Sequence, residues 1–204
     1  MRSVEALCSR VMVLENGGVV YEGDTKTGVN HYLSLSQFEQ DSSLNQNLND
    51  RTDRNGSGKV KFVGAKTLIE LANGNYSTNL ISGRKFIMQI TIEKEIKESL
   101  KSIVFSVGFF NSEGSLLFAC RSDAVGKYYC ISDRITTVSL ELPKLPLASG
   151  SYVYSLICYE KSEVVDFIKK AGLITVQEGD FYGTGFVPAP NFQGVYLDYE
   201  YKND

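Results

Sequence analysis

Hydrophobic and polar residues alternate in short runs through most of the chain beyond residue 58. A period of two residues places apolar side chains on one face of a β-strand, and clusters of Gly, Pro and Asn separate the runs. Because short strands joined by regular turns are typical of a β-sandwich, residues 59–204 are predicted to form an all-β antiparallel sandwich. About eight strands are predicted, over Lys59–Leu71, Lys85–Lys94, Ile103–Phe110, Leu116–Cys120, Ile135–Leu142, Gly150–Tyr159, Leu173–Gln177 and Gly194–Tyr201, with one helical turn near Val164–Lys170.

The run Gly150–Tyr159 carries apolar residues on both of its faces. Tyr152 and Tyr154 share a face with Leu156 and Cys158, whereas the residues between them share the other face. One face must contribute to the core, but the alternation alone does not decide which one is turned outward.

The first 33 residues carry a different pattern. Two apolar runs, Val11–Leu14 and Val19–Gly23, flank an Asn-Gly-Gly turn at residues 16–18. An Asn-Gly turn between two strand-like runs predicts a β-hairpin. Asp24 is then predicted to cap a short helix that ends near Leu33.

Residues 34–58 are dominated by Ser, Gln, Asn, Asp and Arg. A segment of such low hydrophobicity has little apolar surface to bury. We therefore interpret 34–58 as a polar linker between the segment 1–33 and the sandwich at 59–204.

The composition narrows the possible functions. The chain is 43% hydrophobic and carries a net charge of only -3, which is not the strongly basic balance of a nucleic-acid-binding protein. No apolar run reaches the roughly 20 residues of a membrane-spanning helix, and the N-terminus lacks the apolar stretch of a secretory signal, so a cytoplasmic protein is expected. The four cysteines have no C-x-x-C spacing, and they are predicted to be reduced and structural.

A glycine-rich stretch at residues 55–59, Asn-Gly-Ser-Gly-Lys, has part of a phosphate-binding P-loop pattern. That pattern is G-x-x-x-x-G-K-[ST] between a strand and a helix. Here Asp53 stands at the first glycine position and Val60 at the Ser/Thr position. The stretch therefore predicts the loop that leads into the first strand of the sandwich.

No set of residues in the sequence points to catalysis. Glu160, Glu163 and Asp166 could supply a pair of carboxylates for glycoside hydrolysis, but solvated acids are the simpler interpretation. His31 is the only histidine and precedes the predicted linker, so the sandwich has no Ser-His or Cys-His pair. The sequence predicts no catalytic residue, no metal site and no cofactor.

Residues 4–24 resemble the closing stretch of an ABC transporter ATPase domain. The resemblance rests on Leu7-Cys8-x-Arg10, Val13-Leu14-x-x-Gly17 and Gly23-Asp24, and Gly28–Leu33 resembles the short helix that follows. The Walker A loop, the Walker B acid, the signature motif and the switch histidine are missing from the sequence. The resemblance implies a fragment of an ABC ATPase that does not hydrolyse ATP by itself.

Several segments beyond residue 50 resemble Wzt, the ATPase subunit of O-antigen polysaccharide exporters. They are Arg54-x-Gly56-x-Gly58, the turn Asn111–Gly114, Leu147-x-x-Gly150-x-Tyr152, Gly179–Gly185 and Gly194–Leu197. The resemblance implies an immunoglobulin-like, carbohydrate-binding sandwich that recognises the non-reducing end of an O-polysaccharide during lipopolysaccharide biosynthesis. It also implies a permease partner at the inner membrane, reached through the parent ATPase, and a homodimer in which the C-terminal strand can be exchanged.

Given that implied ligand, the region Phe118–Tyr129 is the candidate binding site, because it mixes aromatic residues with Arg121 and Asp123. Aromatic rings stack on sugar rings, and a tyrosine adds a hydroxyl group. The absence of Trp predicts shallow contacts and weak binding at each site. The candidate carbohydrate-binding residues are Asn111, Phe118, Arg121, Ser122, Asp123, Tyr128, Tyr129 and Tyr154.

Three other interpretations remain open. The domain could be a structural dimerisation module of the transporter that does not bind glycan, and binding of its own polysaccharide would exclude this. It could be a glycan-modifying enzyme, which turnover of a polysaccharide would establish. A stand-alone lectin is disfavoured by the ATPase-like residues 4–24.

Overall fold

A computed structural model describes residues 7–15, 18–25, 27–29, 32, 45–187 and 194–203. The chain divides into two units, Met1–Ser43 and Leu44–Asp204. The strands are β1 (Arg10–Glu15), β2 (Gly18–Asp24), β3 (Asn45–Asn47), β4 (Arg54–Asn55), β5 (Val60–Glu70), β6 (Tyr76–Ser77), β7 (Leu80–Ile81), β8 (Phe86–Lys94), β9 (Leu100–Phe110), β10 (Leu116–Arg121), β11 (Tyr129–Ile131), β12 (Ile135–Leu142), β13 (Gly150–Glu160) and β14 (Glu163–Gln177).

The first unit contains the predicted hairpin. β1 and β2 pair antiparallel, with a bulge after Val13. Asp24 caps the helical residues 27–29, because its Oδ1 accepts a hydrogen bond of 2.9 Å from the Thr27 backbone N–H. His31, the lone histidine, lies outside the described residues.

The second unit is a β-sandwich of two sheets. In the described part of the chain, the larger sheet has the order β10-β9-β13-β14-β4, with β11 beside β9 and β7 beside β14. The smaller sheet has the order β12-β8-β5-β3, with β6 beside β5. The pairings are antiparallel except for the short parallel contact of β7 with β14. The all-β antiparallel sandwich predicted from the alternation is therefore confirmed.

Aromatic side chains from both sheets meet in the core between them. Phe86 of the smaller sheet packs edge-on against Phe109 of the larger sheet, with ring centroids 6.1 Å apart. Phe62 of β5 and Phe105 of β9 form a second contact between the sheets, with tilted rings and centroids 6.4 Å apart. The rings are buried, and each contributes the large apolar area that holds a small sandwich together.

The predicted linker at 34–58 is wrong for residues 45–58, which belong to the sandwich. Asn45–Asn47 pairs with β5, and Arg54 with Asn55 pairs with β14. Leu48 is only 1% exposed. The segment is polar because most of its side chains face solvent, and two residues, Leu48 and Arg54, anchor it.

Arg54 forms a buried ion pair that connects three strands. Its Nη1 lies 3.0 Å from Asp166 Oδ2, and the two side chains are 14% and 2% exposed. The same carboxylate oxygen accepts a 2.8 Å hydrogen bond from the Phe62 backbone N–H. Arg54 also donates to the Phe62 carbonyl at 3.2 Å and to the Leu48 carbonyl. β3 pairs with β5 only from Gly64 onward. The Arg54–Asp166 pair therefore supplies the hydrogen-bond partners of the Phe62 backbone N–H and carbonyl groups.

Two further expectations fail. The helical turn predicted near Val164–Lys170 is part of β14. Asp166 in this segment resembles a surface acid in the sequence, but it is the buried partner of Arg54.

The strand predicted over Gly194–Tyr201 is not regular. A regular strand needs a neighbouring strand to form hydrogen bonds with its backbone groups. In the described part of this segment the strand contact is a single bridge between Val195 and Leu147.

The cysteines differ in accessibility. No disulfide joins them. Cys8 and Cys130 are exposed, which differs from the structural role expected for all four cysteines. Cys158 is fully buried, and its burial raises its pKa to about 12.

We expect a thiol reagent at pH 8 to modify Cys8 and Cys130 rapidly and Cys158 only after unfolding, because the thiolate is the reactive form. Absorbance with 5,5′-dithiobis(2-nitrobenzoate) counts the accessible thiols of the folded protein, and a second measurement after addition of guanidinium chloride counts the thiols that unfolding exposes. A Cys158→Ser variant should lack one late-reacting thiol. Rapid reaction of Cys158 in the native protein would contradict its burial.

Candidate functional site

The strand register decides which side chains of the larger sheet face away from the smaller sheet. On β13 the core contains the even-numbered residues from Tyr152 to Cys158, so the odd-numbered residues from Val153 to Tyr159 point outward. Tyr159 pairs with Val104 of β9, and the even-numbered residues of β9 therefore point outward as well. We call this side of β9, β10 and β13 the outer face.

Small and polar residues form the centre of the outer face. Ser106 and Ser155 are 6% and 3% exposed although they point away from the core. Gly108 lies opposite Ser155. A Cβ atom at Gly108 would lie 2.8 Å from Ser155 Oγ and 3.1 Å from Phe110 Cε2, so glycine lets the hydroxyl and the ring lie over the strand. The centre of the face therefore consists of small residues, and its two serine side chains are buried.

Apolar and aromatic side chains border these small residues. Phe110, Ile157 and Tyr159 are half-buried, and Leu116, which pairs with Phe110, is 56% exposed. The half-buried rings can contact the apolar face of a sugar, and the Tyr159 hydroxyl adds a hydrogen-bonding group.

Arg121 contributes an oriented charge pair to one end of the outer face. It pairs with Ser106 across the strands, and its Nε and Nη2 donate to Asp123 at 3.0 and 2.8 Å. The guanidinium lies 4.9 Å from the centre of the Tyr159 ring. These hydrogen bonds lower the pKa of Asp123 and raise that of Arg121. The same hydrogen bonds fix the direction of the remaining N–H groups of Arg121 and of the free lone pairs of the Asp123 carboxylate. Groups fixed in this way can bind a pair of hydroxyls.

Three of the predicted site residues turn inward instead. Phe118 stacks on Phe109 with ring centroids 4.7 Å apart, and Tyr129 packs edge-on against Phe105 at 5.2 Å. Tyr154 is 2% exposed, and burial raises its pKa. Tyr154 belongs to the core, and Phe118 and Tyr129 are partly buried against it, so these three rings point to the other side of the sheet from Arg121.

The other predicted residues lie in turns or loops. Ser122 Oγ accepts a hydrogen bond from the Phe105 backbone N–H, which orients the loop that follows β10. Tyr128, in that loop, is 64% exposed. Asn111 Oδ1 accepts hydrogen bonds from the backbone N–H groups of Glu113 and Ser115, which shapes the β9–β10 turn.

Five residues that were not candidates in the sequence lie on the outer face together with Arg121 and Asp123. They are Tyr159, Ile157, Ser155, Ser106 and Gly108. The alternation in β13 already placed Ser155, Ile157 and Tyr159 on one face. The alternation did not show whether that face points toward the core or away from it, because this depends on the position of the second sheet.

The glycine-rich stretch at 55–59 has a structural role. The backbone N–H groups of Ser57 and Gly58 donate to the carbonyls of Val164 and Val165. A Cβ atom at Gly56 would lie only 2.4 Å from the Val165 oxygen. In a P-loop such backbone N–H groups point at a phosphate. Here those of Ser57 and Gly58 form hydrogen bonds with β14 instead.

Two whole-chain features concern only the described residues. Among them there is no group of three His, Cys, Asp or Glu side chains placed to hold a metal ion. The helical residues in the same ranges do not form a helix long and apolar enough to cross a membrane.

Comparison with known proteins identifies related domains. The family model described as the Wzt C-terminal domain matches residues 51–188 of the chain. The crystal structure of the C-terminal domain of Wzt is similar in fold, with a TM-score of 0.55 and 16% identity, over 76% of this chain and 90% of that chain. The immunoglobulin-like antiparallel sandwich expected from the sequence agrees with that fold.

Two solved enzymes share smaller parts of the fold. A β-glucuronidase from glycoside hydrolase family 2 has a TM-score of 0.36 and 15% identity, over 50% of this chain and 10% of that chain. A β-glucosidase from Listeria innocua in complex with glucose has a TM-score of 0.32 and 14% identity, over 57% and 16%. Neither likeness is close enough to bear on the function of this chain. No curated protein matches the sequence.

Proposed function

The chain belongs to the Wzt C-terminal domain family, and we propose that its sandwich binds an O-antigen polysaccharide, at the non-reducing end, for export by an ABC transporter. The observation that carries this proposal is the outer face of the larger sheet. There Arg121, which is paired with Asp123, lies over the ring of Tyr159, on a face that also carries the half-buried Phe110 and Ile157.

Binding without catalysis fits the chemistry of this face. Asp123 is the acid paired with Arg121 at this face, and hydrogen bonding to Arg121 lowers its pKa. A general acid for glycoside cleavage needs a raised pKa, so Asp123 is suited to hydrogen bonding. We propose that the chain recognises polysaccharide and leaves it unchanged.

The partners follow from the same proposal. The polysaccharide is presented to the permease through the parent ATPase, on the cytoplasmic side of the inner membrane. A homodimer would present two outer faces, and two weak sites on one particle raise the apparent affinity by their effective concentration.

One observation also favours the second candidate, a dimerisation module that does not contact glycan. Leu197, Tyr199 and Tyr201 near the C-terminus are 68%, 66% and 92% exposed. Tyr199 also contacts both Tyr182 and Tyr201 edge-on, at 5.6 and 5.7 Å. Exposed apolar side chains in a cluster are typical of an interface with another protein, such as a second copy with an exchanged C-terminal segment.

Calorimetric titration of the chain with O-polysaccharide from its source strain tests the proposal. We expect saturable binding to that polysaccharide and at least about tenfold weaker binding to polysaccharides of unrelated repeat structure. A chain that forms dimers but binds none of them would favour the dimerisation module. Depolymerisation of the polysaccharide during the titration would establish an enzyme instead.

A further inference from the structure

The outward faces of the two sheets differ in chemistry. The core contains the even-numbered residues of β8 from Phe86 to Ile92, so the odd-numbered residues and their partners on β12 face outward. Each of these outward pairs contains a polar side chain, and the pairs are Gln89 with Ser139, Thr91 with Thr137, Glu93 with Ile135 and Ile87 with Glu141. An antiparallel sheet with one face in solvent commonly shows such polar outward residues.

The outer face of the larger sheet lacks this polar character where it crosses β9, β13 and β14. Three rows of cross-strand neighbours point outward there, and they consist of Phe110, Val153 and Leu173, of Ser106, Ile157 and Phe167, and of Val104, Tyr159 and Val164. Ser106 is only 6% exposed, and the other residues are aliphatic or aromatic. Neighbours on one face of a sheet contact each other, so the rows form one apolar surface.

Part of this apolar surface is open to a ligand. Val153, Ile157 and Phe167 are half-buried, and Val164 is 39% exposed. Contiguous exposed apolar side chains on one face are typical of a binding surface. Arg121 continues the row of Ser106 and Ile157 across the strands, so the surface and the charged pair belong to the same face.

A sugar hydroxyl that packs against this apolar surface loses its contact with water without gaining a partner. In the three rows the hydrogen-bonding side chains are Ser106, which is buried, and Tyr159 in the last row. A polar group that is buried without a hydrogen bond is costly, whereas a methyl group in the same place gains from burial. The surface therefore favours a sugar that carries a methyl group in place of the hydroxymethyl group of a hexose.

An acetyl group would fit the surface less well than such a methyl group. Its carbonyl oxygen needs a hydrogen-bond donor, and the neighbours of Ile157 on this face are Phe167 and the buried Ser106. The polar groups of the face lie beyond Ser106, where Arg121 and Asp123 form their pair. This arrangement suits a sugar with ring hydroxyls on one side and an apolar methyl group on the other.

We propose that the outer face selects a polysaccharide that contains 6-deoxyhexose residues. The C6 methyl group packs on Val153, Ile157 and Phe167, and ring hydroxyls bind Arg121 and Asp123. This inference rests on the proposed function and names the class of sugar that the same site takes.

Saturation-transfer NMR with O-polysaccharide from the source strain tests the sugar class directly. Saturation of the aromatic protons of the protein reaches ligand protons that lie near rings such as Phe110, Tyr159 and Phe167. We expect the strongest transfer to the C6 methyl protons of a 6-deoxyhexose. The inference is overturned if the polysaccharide binds but contains no 6-deoxyhexose, or if transfer is strongest at an acetyl methyl or a hydroxymethyl group.

A matched pair of substitutions at Ile157 tests the surface itself. Ile157→Val and Ile157→Thr leave side chains of nearly equal shape, but threonine places a hydroxyl group on the apolar surface. Calorimetric titration should show Ile157→Thr binding the polysaccharide about tenfold more weakly than Ile157→Val. Circular dichroism checks that both variants are folded, and equal binding by the two would contradict the apolar contact.

Ile135→Thr is the control for the substitution at Ile157. Ile135 is an exposed residue of β12, on the outward face of the smaller sheet, and its variant should bind within about twofold of the unchanged chain. An equal loss in Ile135→Thr and Ile157→Thr would overturn the assignment of the methyl contact to the larger sheet. If the unchanged chain does not bind the polysaccharide at all, the proposed function fails, which is a different result from binding without a 6-deoxyhexose.

Discussion

An Arg121→Ala/Tyr159→Ala double variant is expected to bind O-polysaccharide at least about thirtyfold more weakly than the unchanged chain. Arg and Tyr side chains at the centre of an interface typically contribute about 2 kcal/mol or more each when truncated, and 1.4 kcal/mol corresponds to about tenfold in affinity. The two side chains contact each other, so their effects should not simply add. Calorimetric titration of the single and double variants measures both the loss and the coupling.

The matched control replaces the same residue types beside the other sheet. Arg134→Ala/Tyr76→Ala removes an exposed arginine next to β12 and an exposed tyrosine from β6. We expect this variant to bind polysaccharide as the unchanged chain does. Equal losses in the two double variants would place the glycan elsewhere, and unchanged binding in the first would exclude the outer face.

An Arg54→Met variant is expected to lose about 3–5 kcal/mol of unfolding free energy at pH 7, because it leaves the carboxylate of Asp166 buried without its cation. That is a large part of the 5–15 kcal/mol that typically separates a folded domain from its unfolded state. Urea unfolding followed by circular dichroism measures the change. Arg134→Met, which removes the cation of an exposed pair with Glu93, should cost no more than about 1 kcal/mol.

The pH dependence of the same variant provides a second measurement. Burial raises the pKa of Asp166 in the folded chain, against the opposing effect of Arg54, and loss of the cation should raise this pKa further. A carboxyl group whose pKa is higher in the folded state binds more protons there, so stability falls as pH rises through that range. We therefore expect the deficit of Arg54→Met to shrink as the pH is lowered from 7 towards 5. A deficit that is independent of pH would show that the carboxylate is not the source of the loss.

The strands of the sandwich were largely predictable because their alternation is local. Ile135–Leu142 was predicted with the bounds that β12 has, and the starts of β5, β8 and β13 were placed within one residue. Alternation of side chains follows from the backbone of an extended strand, and turns such as that at Asn111 are encoded by the residues that form them.

The segment 45–58 was missed because its place depends on distant residues. Its composition is polar, and the two residues that anchor it, Leu48 and Arg54, are not unusual in a linker. Asp166, which holds Arg54 in place, lies 112 residues further along the chain. A partner at that distance leaves no local pattern.

The candidate site was only partly predictable for a related reason. Arg121 and Asp123 were both named from the sequence as candidate site residues, but the ion pair between them was not predicted. The direction of Phe118, Tyr129 and Tyr154 was not, because apolar residues occupy both faces of β9 and β13. Only the second sheet decides which face becomes core.

The separation of Arg54 from Asp166 also has a consequence for synthesis on the ribosome. At 5–20 residues per second, the ribosome needs roughly 6–20 s to reach Asp166 after Arg54 has been added. During that interval β5 has been made, whereas β9, whose Phe105 packs against Phe62 of β5, is made later, and β14, which contributes Asp166, is made last. The nascent domain therefore exposes the apolar face of β5 until the larger sheet is complete, and chaperone binding to the growing chain should be strongest for chains that end between β5 and β14.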